Sequence, residues 1–355
     1  MSNEPGDGGH KASAGTAPLA ILFGCAGETL SAAERAFFAE TNPAGFVLFQ
    51  RNCHTPDQVR ALVSEFRRCV GRDDAPVVID QEGGRVARLK LPHWRTYPAA
   101  ARLAALSDAE AAVRLGARLI ADDLAALGIT VDCAPVLDLP IAGADRVIGD
   151  RAYCSEPARV ARLGRAMCEG LLAGGVLPVV KHIPGHGRAR VDSHHALPAV
   201  DADPATLAET DFAPFRALAD MPQGDAIWAM TAHIVYSAID DRHPATLSPK
   251  LIEETIRGAI GFDGVLVSDD VEMGALAGTI GERVAGALGA GCDLALHCSG
   301  DLHEMRQAAE SAAPLTPEAV ERLARGEALR RSSRRGFDRR EAEAQFDAMI
   351  GVTAK

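Results

Sequence analysis

The sequence predicts an α/β fold, a closed (β/α)8 barrel of the TIM type in a single domain with a C-terminal helical extension, on three observations. Eight short apolar runs alternate with longer amphipathic stretches along the 355 residues. The runs, at 19–23, 45–49, 76–80, 130–138, 176–182, 226–233, 264–269 and 293–297, are rich in Val, Ile and Leu and lack polar alternation. Parallel strands buried on both faces read that way. The stretches between them open with helix-starting signals, as in Thr55-Pro56-Asp57 and Ser248-Pro249, a cap followed by proline at the first helical position. Eight strand-then-helix units in succession suggest closure, with an open doubly wound sheet as the competitor.

The helical candidates lie at 32–40, 57–70, 109–127, 157–173, 204–219, 249–260 and 282–288. Residues 1–16, rich in Gly and Ser, read as a disordered leader, residues 17–314 as the barrel, and 315–355 as helices packed on it. No linker or composition shift marks a second folded domain. The tail carries Arg330, Arg331, Arg334, Arg335, Arg339 and Arg340, but Glu341 and Glu343 lie close by, so the expectation is a solvated helix face.

A composition of 47% hydrophobic residues suffices for a large core. The net charge of −11 argues against a nucleic-acid binder, which needs a basic surface to release counterions from phosphates. The eight cysteines include no Cys-x-x-Cys pair, and several sit in apolar runs. They read as reduced core residues of a reducing, cytoplasmic compartment. Leu22-Phe23-Gly24-Cys25 resembles a lipoprotein cleavage box, but the apolar run before it is too short for a signal segment. No stretch reaches the roughly 18 apolar residues of a membrane span.

In such a barrel the chemistry gathers where the strands end, because the βα loops converge there. The third run ends in Asp80-Gln81-Glu82-Gly83-Gly84 with Arg88 beyond, and the fourth ends near Asp138 with Arg151 in the following loop. The fifth ends in Lys181-His182, the sixth in His233 and the seventh in Ser268-Asp269-Asp270. Asp80, Arg88, Lys181 and His182 supply charged donors and acceptors for a ligand with many hydroxyls. Asp269 or Asp270 supplies a carboxylate able to attack an electrophilic carbon, as glycoside hydrolysis through a covalent intermediate requires. Asp192-Ser193-His194 offers a proton donor, and in an extended stretch both side chains would point the same way, so Asp192 would hold the His194 ring. His186 and His195 read as loop-shaping hydrogen-bond partners, and Gly83-Gly84 and Gly185-x-Gly187 as tight backbone turns.

At these residues the sequence closely resembles glycoside hydrolase family 3, in particular its single-domain β-N-acetylhexosaminidases. The segments that carry the resemblance are 80–88 (DQEGGRVAR), 147–153 (VIGDRAY), 181–198 (KHIPGHGRARVDSHHALP) and 268–275 (SDDVEMGA). The resemblance implies Asp269 as nucleophile, His194 as general acid/base and Asp192 as its orienting partner. It implies sugar contacts from Asp80, Arg88, Arg151, Lys181 and His182, with no metal or organic cofactor. The implied substrate is a terminal β-1,4-linked N-acetylglucosamine on a 1,6-anhydro-muramyl-peptide fragment of the recycled cell wall, processed by a monomer without membrane or nucleic-acid partners. One departure is Arg188-Ala189-Arg190, where many members carry an acidic or amide residue and threonine. Two arginines beside the acid/base suggest contacts to anionic muramyl or peptide groups.

Three rivals remain open at this level. A metal-dependent amidohydrolase would use Lys181, His182, His233 and an aspartate as ligands, although the first run ends without the His-x-His such sites need. A phosphorylase would pass the sugar to phosphate, and a degenerate barrel would bind sugar without cleaving it.

Overall fold

Eight strands pair in sequence order and all in parallel, and the last closes on the first. A computed structural model describes residues 17–351; the leader expected over 1–16 lies outside them. The strands are β1 (Leu19–Phe23), β2 (Pro43–Leu48), β3 (Val77–Ile79), β4 (Val131–Asp132), β5 (Leu177–Ile183), β6 (Trp228–Thr231), β7 (Val265–Asp270) and β8 (Leu294–His297). Closure sets Leu22 opposite Leu296, so the barrel sheet itself has no free edge. The open-sheet alternative is thereby excluded.

The strands are buried almost throughout because helices cover the outside and side chains fill the lumen. Phe38, Phe46 and Phe66 form one aromatic knot between the barrel wall and the helix Pro56–Val70. Truncating fully buried Phe66 to alanine costs about 3–5 kcal/mol on the usual scale. The Thr55 start held as read, its side chain accepting from the Gln58 amide ahead of Pro56; capping boxes that were not foreseen begin Ala32–Thr41 and Ile280–Ala290.

Several elements differ from the reading. The fourth run is a strand only over Val131–Asp132, since Pro135 brings no N–H to a ladder; pairing with β5 returns at Val136 opposite Lys181. The single helix read over 204–219 is two, Pro204–Glu209 and Ala213–Ala219, because Asp211 turns inward between them. A helix not foreseen, Leu302–Ser311, follows β8 and is capped by Asp301.

The last two helices are Pro317–Ser333 and Arg339–Ile350. Arg322 reaches buried Asp293 at 2.9 Å, and Arg339 reaches Asp122 at 2.8 Å and Asp123 at 2.7 Å. Part of the basic tail therefore clasps the barrel instead of facing solvent alone. All eight cysteines are unpaired, and only Cys69 and Cys154 are less than buried. Among the described residues no helix is long and apolar enough to cross a membrane.

Candidate active site

The C-terminal ends of β3 and β5 bring oppositely charged side chains together in a floor. Lys181 Nζ lies 2.8 Å from Asp80 Oδ1 and 2.7 Å from Glu82 Oε1. Arg88 donates to the other Asp80 oxygen at 2.9 Å. Arg151 grips Glu82 with two hydrogen bonds of 2.9 and 2.8 Å, the paired geometry that guanidinium and carboxylate favour. Asp80 and Glu82 point the same way because they stand two apart on extended backbone. Gln81, between them, turns inward to accept the amides of Arg88 and Leu89, and Gly83 and Gly84 take the left-handed turn that folds the segment back.

Burial works against charge on Asp80, Glu82, Arg151 and Lys181, and pairing outweighs it. Lys181 and Arg88 hold Asp80 well below the usual carboxylate range, and Lys181 with Arg151 holds Glu82 down. The carboxylates in turn raise Lys181 above its ordinary value. A lysine kept protonated has no lone pair for a metal, so the amidohydrolase reading loses one of its ligands.

His182, beside Lys181 on β5, donates from Nδ1 to Asp138 Oδ2 at 2.6 Å, which leaves Nε2 for the cleft. Asp138 Oδ1 also accepts the His186 amide at 2.6 Å. The His186 ring meets Ser193 at 3.0 Å, tying the start of the long loop to its far end. Gly187 packs so closely that a Cβ there would sit 1.7 Å from the Leu139 carbonyl oxygen.

At the end of β7, Asp269 and Asp270 part company. Burial opposes charge on Asp269, but the His233 and His182 imidazoles outweigh it and hold the carboxyl below its usual range. Burial and the Glu272 carboxylate push Asp270 up. His233 is fully buried, with Nε2 donating to the Asp270 carbonyl at 2.9 Å and Nδ1 2.7 Å from the Thr246 hydroxyl. It braces the strand end.

The loop after β5 carries Asp192 and His194. Asp192 Oδ1 lies 2.6 Å from His194 Nδ1 and accepts the His194 amide at 2.9 Å. The stretch is a turn, not the extended segment expected: the amides of His195 and Ala196 both return to the Asp192 carbonyl. An aspartate accepting the amide two residues on is a turn former, and here that same geometry orients the ring. Although partial burial works against it, the His194 amide and imidazole keep Asp192 below the usual range.

Arg188 does not face the cleft. Its Nε donates to buried Asp211 at 2.6 Å and its Nη2 to Thr210 at 3.0 Å, so it latches the loop to the break between the two helices. Arg190 is exposed. His195 is exposed as well, its amide closing the turn.

A cleft of about 230 Å3 opens among these groups. Asp269, His194, Asp80, Arg88, Arg151, Lys181 and His182 all line it, with Asp192 behind His194. Phe49, Met230 and Met273 add apolar wall. A larger cavity, about 540 Å3, lies at the opposite end around Leu177, Trp228 and Leu315. It holds no imidazole, and Glu327 there is already paired with Arg331, so the smaller cleft is the one with chemistry. Glu82 and the Asp138 clamp on His182 are what sequence reasoning missed. The two-residue spacing from Asp80 was the available signal for Glu82.

The Glycosyl hydrolase family 3 N terminal domain profile matches residues 20–325. A "Beta-hexosaminidase" of Alkalilimnicola ehrlichii is 39% identical over 287 residues, 79% of this chain and 80% of that protein. Another of that name from Chromobacterium violaceum is 37% identical over 86% of this chain and 85% of its own. Among solved structures, NagZ from Neisseria gonorrhoeae in complex with N-trifluoroacetyl-D-glucosamine superposes with a TM-score of 0.82 at 29% identity, covering 94% of this chain and 99% of that one. A family 3 β-N-acetylglucosaminidase from a Paenibacillus strain gives 0.81 at 33%, covering 93% and 67%. With a barrel whose strand ends carry this cleft, and with relatives of this length and likeness, the chain belongs to glycoside hydrolase family 3 and is a glycoside hydrolase.

Proposed function

We propose that the enzyme is a retaining exo-β-N-acetylglucosaminidase. The observation that carries this is one cleft holding a strand-end carboxylate kept ionised, Asp269, together with an imidazole engaged from behind by a carboxylate, His194 with Asp192. The relatives, a β-hexosaminidase and a family 3 β-N-acetylglucosaminidase among them, suggest the N-acetylhexosamine.

In the first step Asp269 attacks the anomeric carbon while protonated His194 gives its Nε2 proton to the glycosidic oxygen. The carbon–oxygen bond breaks and a glycosyl-aspartate ester forms. In the second, neutral His194 takes a proton from water, whose oxygen attacks the same carbon and releases Asp269. Two inversions retain configuration. Asp192 fixes the His194 tautomer and the orientation of its ring. Asp270, held protonated, makes a poor nucleophile beside Asp269. The ion-paired floor of Asp80, Arg88, Arg151 and Lys181, with His182 Nε2, binds the sugar hydroxyls.

The substrate class follows the resemblance: N-acetylglucosamine β-1,4-linked to anhydromuramyl-peptide fragments, with free cysteines fitting a reducing, cytoplasmic setting. Arg190 is left as the loop arginine able to meet an anionic aglycone, because Arg188 is spent on Asp211.

The test uses the 4-nitrophenyl β-N-acetylglucosaminide and β-glucoside. Asp269→Asn should lower kcat on the former by roughly a thousandfold or more while retaining N-acetylglucosamine binding. A variant with a tenth of wild-type activity, or equal wild-type rates on the two sugars, refutes the proposal.

A further inference from the structure

Beside the cleft, three elements converge with ligand-bearing side chains that catalysis does not use. Glu272 leaves the end of β7, His297 ends β8, and Glu304 stands in the first turn of the helix Leu302–Ser311. One ring nitrogen and one oxygen from each carboxylate all lie within 4.8 Å of one another. None of the three side chains lines the catalytic cleft.

His297 makes this more than an acidic cluster. It is fully buried, with its ring edge-on to Phe23 at 5.7 Å. Among the described residues neither of its ring nitrogens has a hydrogen-bond partner. Both face carboxylates, Nδ1 at 3.6 Å from Glu272 Oε2 and Nε2 at 3.9 Å from Glu304 Oε2. These separations exceed a hydrogen bond; an ion takes only one nitrogen of a ring, and one of them lies within 4.8 Å of an oxygen from each carboxylate. The Glu272 carboxylate is held in place by the amides of Cys298 at 2.6 Å and Ser299 at 2.7 Å, the outer support that orients metal-binding carboxylates. The Glu304 side chain is 42% exposed, which gives an ion a way in and a face for water.

We propose that Glu272, His297 and Glu304 form a binding site for a divalent transition-metal ion. One imidazole with two carboxylates suits Zn2+ better than Ca2+ or Mg2+, which prefer oxygen alone. Three protein ligands leave a fourth position for water. The ion clips the loop that follows the Asp269 strand to β8 and the next helix, so it supports that loop without entering the reaction.

The full-length protein, stripped with a chelator, is titrated with Zn2+ in a calorimeter alongside His297→Leu, Glu304→Gln and His194→Ala. The last variant removes the exposed imidazole of the cleft, the competing place for zinc. Wild type and His194→Ala should share one site that His297→Leu lacks and that Glu304→Gln binds roughly tenfold or more weakly. Zinc should raise Tm most in the first pair, less in Glu304→Gln and not in His297→Leu. Equal binding by all four proteins overturns the proposal. So does no zinc binding by wild type, the outcome if the two carboxylates share only a proton. Should His297→Leu fail to fold, Glu304→Gln at its partly exposed position decides alone.

Discussion

The floor of the cleft and the loop above it are built on opposite principles. In the floor, Lys181 is 2% exposed and each carboxylate is gripped by two cations. On the loop, the His194 side chain is 58% exposed and rests on a single carboxylate. Binding hydroxyls in a fixed pattern calls for groups aligned before the substrate arrives, in a low dielectric that strengthens each contact. Proton transfer in two directions calls for access to water and room for a leaving group. On the proposed mechanism the division places stability in one region and turnover in the other.

Breaking the floor should therefore show first in folding. Lys181→Met leaves buried Asp80 to Arg88 alone and Glu82 to Arg151 alone and should cost about 3 kcal/mol, read as a fall in Tm of several degrees. The pH dependence carries a sign. Asp80 and Glu82 have folded values below their unfolded ones, so the stability they give is complete above the ordinary carboxylate range and lost as pH falls through the folded values. Losing Lys181 removes the strongest pull holding both carboxyls down, so both rise toward their unfolded values or above, and the Tm gap between wild type and variant should narrow from about pH 6 to 4. A gap independent of pH would mean the lysine supports the fold by packing only.

The loop should answer in rate. His194→Ala should lower kcat by about 10²- to 10⁴-fold for poorly activated leaving groups and far less for activated aryl ones, with Tm unchanged. Equal losses on both would remove His194 from proton donation. Arg188→Ala leaves Asp211 buried beside Thr210 alone and should cost about 1–3 kcal/mol in stability, together with slower turnover as the loop loosens. An unchanged melt would show that the latch is idle. At the small end, exposed Arg190→Ala should change Tm by less than about 0.5 kcal/mol equivalent. Only kcat/KM for peptide-bearing substrates should move; an equal effect on neutral aryl substrates would end its aglycone role.

The same contrast explains what could be read from the chain. Asp80, Lys181, His182 and Asp269 were legible because a strand end fixes their position and the alternation of elements fixes the strand ends. The Asp192–His194 contact was anticipated but through the wrong backbone, since a turn and an extended stretch both bring residues two apart to one side. Glu82 against Arg151, and Arg188 against Asp211, cross 69 and 23 residues of chain, and no local pattern encodes such a choice of partner. The distinction between Asp269 and Asp270 is likewise tertiary, set by which neighbour is an imidazole and which a carboxylate.

Lys181 has a final consequence in valences. Its ammonium carries three hydrogens; Asp80 accepts one, and Glu82, its ion-pair partner at 2.7 Å, engages at most one more. One donor is left over, next to Asp80 oxygens that each keep a spare lone pair. A sugar hydroxyl, which gives one hydrogen and takes another, completes that count; a deoxygenated or methylated position leaves the remainder unmet in a buried place. The enzyme's discrimination among sugars should thus fall hardest on analogues that lack a hydroxyl and lightly on changes along the apolar wall of Phe49, Met230 and Met273.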